Sequence, residues 1–231
     1  MQNMEGNRRN KDMKFNLQLS IAFFGSLFLF ILLSFLVRAD YLMAFDRHVI
    51  SFIQGLESPW LTSIMKFFTY IGTIRFIAVL TILLFILMFY VLRFRLEVLV
   101  FLAVVFCTPI LNRLLKLFFQ RARPDFHRLI EIGGYSFPSG HAMNAFSFYS
   151  IMAFLLWRHV QGRIGRMAVI LASSFMILSI GVSRVYLGVH YPSDIVGGFL
   201  ASSLWVAAVI WLFQRYKDRQ FYVQRRKEPS A

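Results

Sequence analysis

The chain has 231 residues, of which 58% are hydrophobic and 16% are charged, and its formal net charge is +14. Soluble domains carry about 25% charged residues, so this composition excludes an ordinary soluble domain and favours a membrane protein. The positive charge does not indicate nucleic-acid binding, because the basic residues stand at the ends of apolar runs rather than on a polar domain.

The apolar runs predict an all-α, polytopic membrane bundle with six transmembrane helices, since a bilayer core needs about 20 apolar residues per helix. The predicted spans cover residues 17–37, 73–92, 96–119, 142–157, 167–182 and 195–213. The first run follows a basic tail and lacks a cleavage site, so we interpret it as an uncleaved span. The predicted domains are a basic tail at 1–16, a transmembrane domain at 17–214 and a second basic tail at 215–231.

Residues 43–72, between the first two predicted spans, are less uniformly apolar. Apolar residues at helical spacing, Phe45, Val49, Phe52, Ile53 and Leu56, alternate there with Asp46, Arg47, Gln54 and Glu57. This pattern predicts an interfacial helix on the bilayer surface, and a solvated connector is the alternative. Pro59 permits a second helix to start.

Loop charges predict the orientation of the bundle. The two tails, the connection between spans two and three and the connection between spans four and five hold 15 of the 25 Lys and Arg residues. Cytoplasmic loops carry the excess of basic residues, so both termini are predicted to be cytoplasmic. The protein is therefore expected in the cell membrane, with the opposite, extracytoplasmic side holding the other 10 basic residues.

Three polar clusters adjoin the predicted helices on the outer side. Their members are Lys116 with Arg123-Pro124, then Pro138-Ser139-Gly140-His141, then Ser183-Arg184 with His190 and Asp194. Three fixed cations suit a phosphate, because arginine offers a planar fork and lysine a compact charge. An imidazole can attack such a group, a carboxylate one helical turn away can orient it, and a second imidazole can donate a proton.

In this order and spacing, the clusters resemble the signature of the type 2 phosphatidic acid phosphatase superfamily, K-x6-R-P, P-S-G-H and S-R-x5-H-x3-D. The resemblance implies that His190 is the nucleophile, Asp194 its orienting partner and His141 the general acid. The implied phosphate-binding residues are Lys116, Arg123, Ser139, Gly140 and Arg184. Arg121 and Arg128 extend the basic patch and are possible headgroup contacts.

The resemblance further implies a lipid phosphatase that forms a phosphohistidine and uses no metal or other cofactor. Within the family the compact six-span form is similar to bacterial enzymes that act on phosphatidylglycerophosphate or undecaprenyl pyrophosphate, and phosphatidic acid is a third candidate. The expected partners are the bilayer and a lipid phosphate, without nucleic acid and without an obligate protein partner. A lipid phosphotransferase using the same site remains an alternative, and a membrane transporter is an alternative of another class.

Overall fold

Eight α-helices make up the regular structure of residues 2–125 and 127–227, which the computed structural model of the chain describes. They are α1 (Gln2–Arg38), α2 (Met43–Gln54), α3 (Pro59–Ile71), α4 (Ile74–Ile86), α5 (Arg95–Phe119), α6 (Gly140–His159), α7 (Arg163–Tyr186) and α8 (Pro192–Lys227). A π-helical turn at Leu87–Val91 extends α4. No strand occurs in the described ranges, so the predicted all-α class is confirmed.

Five segments are long and apolar enough to cross a membrane: Asn16–Arg38, Ile74–Val91, Arg95–Phe119, Arg163–Tyr186 and Pro192–Lys217. They correspond to five of the six predicted spans and make the chain a multi-pass membrane protein. The predicted domain limits at 17 and 214 fall inside α1 and α8, and they stay a prediction. Residue 1 and residues 228–231 of the predicted tails lie outside the described part of the chain.

Helix α6 corresponds to the predicted fourth span but is not among these five segments. It packs against α5, α7 and α8, and Phe148 and Ile151 on it are buried. Ser147 on the same helix accepts a hydrogen bond from Oγ1 of Thr108 at 2.9 Å. A helix surrounded by other helices needs less apolar surface than one facing lipid, so α6 tolerates polar residues. That α6 is a sixth transmembrane helix remains a prediction.

Helix α2 lies within the segment where an interfacial helix is predicted, and its position relative to a bilayer remains a prediction. Phe45 and Phe52 are exposed, whereas Ile50 and Asp46 are buried. Asp46, one of the polar residues in the amphipathic pattern, is paired inside the protein with Arg121. Helix α3 begins at Pro59 as predicted.

Helix α5 ends at Phe119, where the predicted third span also ends. The basic stretch that follows does not continue the helix to Pro124. Gln120 adopts the left-handed conformation, with φ 49° and ψ 30°, and its N–H closes the last turn on the carbonyl of Lys116. The chain then leaves the helix axis, and Ser136 donates its backbone N–H to the carbonyl of Arg121 at 2.8 Å.

Candidate active site

The three predicted clusters meet at one end of the bundle, where α5 and α7 end and where α6 and α8 begin. Lys116, Arg123 and Arg184 interact electrostatically with both His141 and His190. Residues that are far apart in the sequence are thus brought into one cationic cluster, as the order of the predicted helices requires.

His190 lies between a carboxylate and a guanidinium. Its Nδ1 is 3.2 Å from Oδ2 of Asp194, and its Nε2 is 3.1 Å from Nη1 of Arg123. A guanidinium can only donate, so Nε2 accepts and the ring proton resides on Nδ1, facing the carboxylate. In this tautomer the lone pair of Nε2 points away from Asp194.

The surroundings of His190 keep its ring neutral. The residue is 2% exposed, and burial lowers the pKa of its imidazole well below the usual range. The positive charges of Arg184, Arg123 and Lys116 lower this pKa further. At neutral pH the ring is therefore unprotonated at Nε2, whose lone pair a nucleophile requires.

Arg184 on α7 supplies the clearest sign of an anion site. The residue is 1% exposed, and its Nη1 donates to Oγ1 of Thr69 on α3. Its Nε and Nη2 have no hydrogen-bond partner among the described residues. Buried donors are costly unless they are paired, and the oxygens of a phosphoryl group match the fork of a guanidinium. Arg184 is therefore suited to bind such a group.

Backbone carbonyls hold the other two cations in place. Nζ of Lys116 donates to the carbonyl of Tyr135, and Nε of Arg123 donates to the carbonyl of Gly134 at 2.9 Å. Nη1 of Arg123 also donates to the carbonyl of Val189 at 2.8 Å. Carbonyl oxygens orient a cation without cancelling its charge, so both residues keep a positive charge available for an anion.

The start of α6 contributes backbone groups to the same region. Oγ of Ser139 caps the helix by accepting from the N–H of Ala142 at 3.4 Å, as predicted for a capping serine. The N–H of Ser139 donates to the backbone carbonyl of Asp194 at 3.0 Å, which ties α6 to α8. A Cβ at Gly140 would lie 2.9 Å from Oδ1 of Asn112, so a close contact favours glycine here. The positive end of the α6 dipole favours an anion beside it.

Arg121 and Arg128, the possible headgroup contacts, differ in their surroundings. The side chain of Arg121 is 10% exposed and donates to Asp46 at 2.9 Å and to Asp194 at 2.7 Å. Burial lowers the pKa of Arg121, but attraction to Asp194 and Asp46 outweighs this effect and the pKa is raised. The side chain of Arg128 is 26% exposed, and its Nε donates to the carbonyl of Pro124 at 2.7 Å. Nη2 of Arg128 lies 3.8 Å from Oδ1 of the exposed Asp125, a longer ion pair than those of Arg121. Arg128 therefore keeps a surface for a ligand, whereas Arg121 is committed to two buried carboxylates.

Several residues of the site are absent from the sequence-based prediction. Thr69 and Asn112 belong to no motif, and nothing in the sequence singles them out. Asp46 does have a signal, since it shares a helical face with Ile50 and Ile53 at positions i, i+4 and i+7. A carboxylate on such a face indicates a buried partner.

Within the described ranges, no group of three or more His, Cys, Asp or Glu side chains could hold a metal ion. That the protein needs no metal remains a prediction.

Membrane-crossing helices and a cationic cluster around a histidine–carboxylate pair define a membrane protein with a candidate active site at one end. The model of the PAP2 superfamily matches residues 96–218, a segment that contains all three clusters. The chain therefore belongs to the PAP2 superfamily, and the resemblance noted in its sequence is confirmed.

Relatives within this family are membrane phosphatases. The chain is 35% identical to phosphatidylglycerophosphatase B of Bacillus subtilis over 177 residues, which are 75% of this chain and 86% of that protein. It is 37% identical to the putative undecaprenyl-diphosphatase YbjG of Escherichia coli over 86 residues, 36% of this chain and 38% of that protein. A crystal structure of a transmembrane PAP2-type phosphatidylglycerolphosphate phosphatase from Bacillus subtilis superposes with a TM-score of 0.77 and 28% identity, covering 86% of this chain and 97% of that chain.

Proposed function

We propose that this protein is a lipid phosphate phosphatase that works through a phosphohistidine on His190. The observation that carries the proposal is a pair of buried nitrogens of Arg184, Nε and Nη2, which find no hydrogen-bond partner in the part of the chain that the structure describes and which lie in a cluster with His190. A phosphoryl group bound by Arg184, Lys116 and Arg123 would have its negative charge balanced by three cations. The same cations would stabilise the charge that spreads over the transferring group.

The first half of the reaction follows from the tautomer of His190. Nε2 attacks phosphorus and the bond from phosphorus to the leaving oxygen breaks, while the proton on Nδ1 stays hydrogen-bonded to Asp194. His141, in its protonated form, gives its proton to the leaving oxygen. Because Nη1 of Arg123 contacts Nε2 at 3.1 Å, that guanidinium must transfer its hydrogen bond to a phosphoryl oxygen first.

The second half returns the protein to its starting state. His141, now neutral, accepts a proton from a water molecule whose oxygen attacks the phosphorus. The bond from phosphorus to Nε2 of His190 breaks, inorganic phosphate leaves, and both histidines regain their initial protonation. If an alcohol replaces the water, the same residues perform phosphoryl transfer, which is the alternative reaction for this site. Membership of a phosphatase family leaves the transporter alternative without support.

We further propose six spans with both termini cytoplasmic and the site on the extracytoplasmic side. The bias of 15 basic residues against 10 supports this orientation. Two exposed positions test it, Asp125 in the loop before α6 and Gln161 between α6 and α7. Each is changed to cysteine in a Cys107→Ala background. A membrane-impermeant thiol reagent should label residue 125 in intact cells, and residue 161 only after permeabilisation. The reverse pattern would overturn the orientation.

The proposed substrate is undecaprenyl pyrophosphate, with phosphatidylglycerophosphate or phosphatidic acid as the alternative. A site at the end of membrane-crossing helices suits a substrate whose tail stays in lipid. A pyrophosphate carries more negative charge than a monophosphate, and the partly exposed Arg128 could pair with the second phosphate. The names of the relatives support both lipids, since one is a putative undecaprenyl-diphosphatase and another a phosphatidylglycerophosphatase.

A panel of lipid phosphates, assayed with purified protein in nanodiscs and in the presence of a chelator, tests the substrate. Arg128→Ala should slow phosphate release from undecaprenyl pyrophosphate by about fivefold, which corresponds to roughly 1 kcal/mol, and leave monophosphate lipids little changed. The exposed Arg75 provides the control variant Arg75→Ala, which should slow phosphate release from neither lipid class.

Equal losses on both lipid classes would reduce Arg128 to a general anchor. A native preference for phosphatidylglycerophosphate would establish the alternative, and transfer to an added alcohol without phosphate release would establish a phosphotransferase.

A further inference from the structure

Behind the histidine–carboxylate pair lies a second, fully buried carboxylate, Asp46 on α2, which is 0% exposed. Its Oδ2 accepts from Nη2 of Arg121 at 2.9 Å, and Nη1 of the same guanidinium donates to Oδ1 of Asp194 at 2.7 Å. Oδ2 of Asp194 is the oxygen that faces Nδ1 of His190. The guanidinium of Arg121 thus bridges two carboxylates, and one of these, Asp194, is hydrogen-bonded to the imidazole ring of His190.

These contacts fix the rotation of the Asp194 carboxylate. Arg121 holds Oδ1, while the backbone N–H of Tyr191 donates to Oδ2 at 2.9 Å. The guanidinium is itself restrained, because it lies 4.1 Å from the ring centroid of Tyr191 and also donates to Oγ of Ser193 at 2.8 Å. With both oxygens engaged, the carboxylate presents Oδ2 to Nδ1 of His190 in one orientation.

Asp46 also anchors the start of α8, the helix that carries Asp194. The first N–H groups of a helix lack partners within the helix, and a carboxylate is a favourable acceptor there. Oδ1 of Asp46 accepts from the N–H of Ser193 at 2.9 Å, and its Oδ2 accepts from Oγ of the same serine. A side chain of α2 therefore caps α8 at Ser193, three residues after His190 in the chain.

We propose that Asp46 and Arg121 are positioning residues for phosphoryl transfer, acting through Asp194 on the nucleophile His190. The proposal rests on the proposed function, in which His190 attacks phosphorus. Under this proposal α2, which lies between the first two predicted spans, contributes to catalysis and does not serve only as a connector. The proposal also assigns Arg121 to the support of Asp194 instead of to a lipid headgroup.

The test is Asp46→Asn, which keeps the shape of the side chain and removes its charge. We expect kcat to fall by about 10- to 100-fold, the loss typical of outer hydrogen-bond partners of histidines at metal sites, while KM for the lipid changes less than twofold. The matched control is Glu57→Gln, the same chemical change at an exposed carboxylate paired with His127 at 3.0 Å. The control should keep the native kcat.

A double-mutant cycle separates positioning from general destabilisation. If Asp46 acts through Asp194, then Asp46→Asn should cause little further loss of kcat in an Asp194→Asn background. If Asp46 only stabilised the fold, the two substitutions would act independently, and the loss of kcat in the double variant would be the product of the two single losses. An unchanged kcat in a folded Asp46→Asn protein, or full multiplication in the cycle, would overturn the proposal.

Ser193→Ala covers the case in which Asp46→Asn does not fold. It removes the hydroxyl that contacts both Asp46 and Arg121 and leaves their ion pair in place. It should lower kcat by a few fold without changing KM, and an unchanged kcat would contradict the proposal. The proposed function is tested separately, because full activity of His190→Ala would refute that function, whatever the result at Asp46.

Discussion

Replacement of His190 by alanine is expected to reduce phosphate release from lipid phosphates by about 10⁴-fold or more, as loss of a nucleophile does in other covalent enzymes. The reason is geometric, since His190 is the imidazole that Asp194 orients at 3.2 Å and that stands among three cations. The motifs hold a second imidazole, His141, but of these two, within the described part of the chain, only His190 has a carboxylate that orients it for attack. The measurement is kcat for purified protein in nanodiscs, with the substrate in excess.

The control for this variant is His48→Ala, because His48 lies exposed on α2 and belongs to none of the three clusters. It should retain the native rate. Because His190 is buried, its alanine variant must also be shown to be folded, for example by an unchanged elution volume and melting temperature. A folded His190→Ala protein with a rate within tenfold of the native one would remove His190 from the role of nucleophile.

Replacement of His141 by alanine is expected to slow turnover of lipid substrates by 10²- to 10⁴-fold, roughly the contribution of a general acid or base. The expected loss of rate depends on the leaving group of the substrate. When an aryl phosphate reacts, the P–O bond to the aryl group breaks and a stable aryloxide anion leaves without needing a proton, so formation of the phosphohistidine from it should be impaired much less. Rapid mixing of the His141→Ala protein with an aryl phosphate should therefore release a burst of the phenol product, followed by slow turnover.

The comparison of the two substrates distinguishes proton transfer from binding. If His141 serves only to bind phosphate, the burst will slow as much as lipid turnover does, and the assignment as general acid will be wrong. Ser150→Ala on the same helix, outside the motifs, is the control for changes within α6. It should leave both rates unchanged.

The sequence predicts the helices well where their apolar runs end at polar residues. The second span, predicted at 73–92, is observed as Ile74–Val91, because Thr73 caps its start and polar residues follow its end. Helix α6 is harder to assign, since it packs mainly against α5, α7 and α8 and needs less apolar surface than a lipid-facing span. Hydropathy measures transfer to lipid and does not measure packing against protein.

The cationic cluster was also predictable, because order and spacing in the sequence place the three motifs on one end of the bundle. The hydrogen bonds and ion pairs around this cluster were not predictable from the sequence. Asp46 stands among the polar residues of the amphipathic pattern of α2, and that pattern does not name its partner. In the structure Phe45 and Phe52 are exposed, whereas the carboxylate of Asp46 is buried and pairs with the guanidinium of Arg121. Hydropathy places the end of the third span at Phe119, where α5 ends, but it does not encode the contacts of the chain beyond, such as the hydrogen bond from the N–H of Ser136 to the carbonyl of Arg121.

The most direct measurement of the central claim, covalent catalysis by His190, is the detection of the phosphorylated residue. The His141→Ala protein is mixed with an aryl phosphate, quenched in base, where a phosphohistidine persists, and digested for mass spectrometry. We expect one phosphoryl group on the peptide that contains His190, discharged by acid and absent from a His190→Ala, His141→Ala double variant. A phosphoryl group on another residue, or turnover of the native protein without any phosphorylated form, would contradict the account.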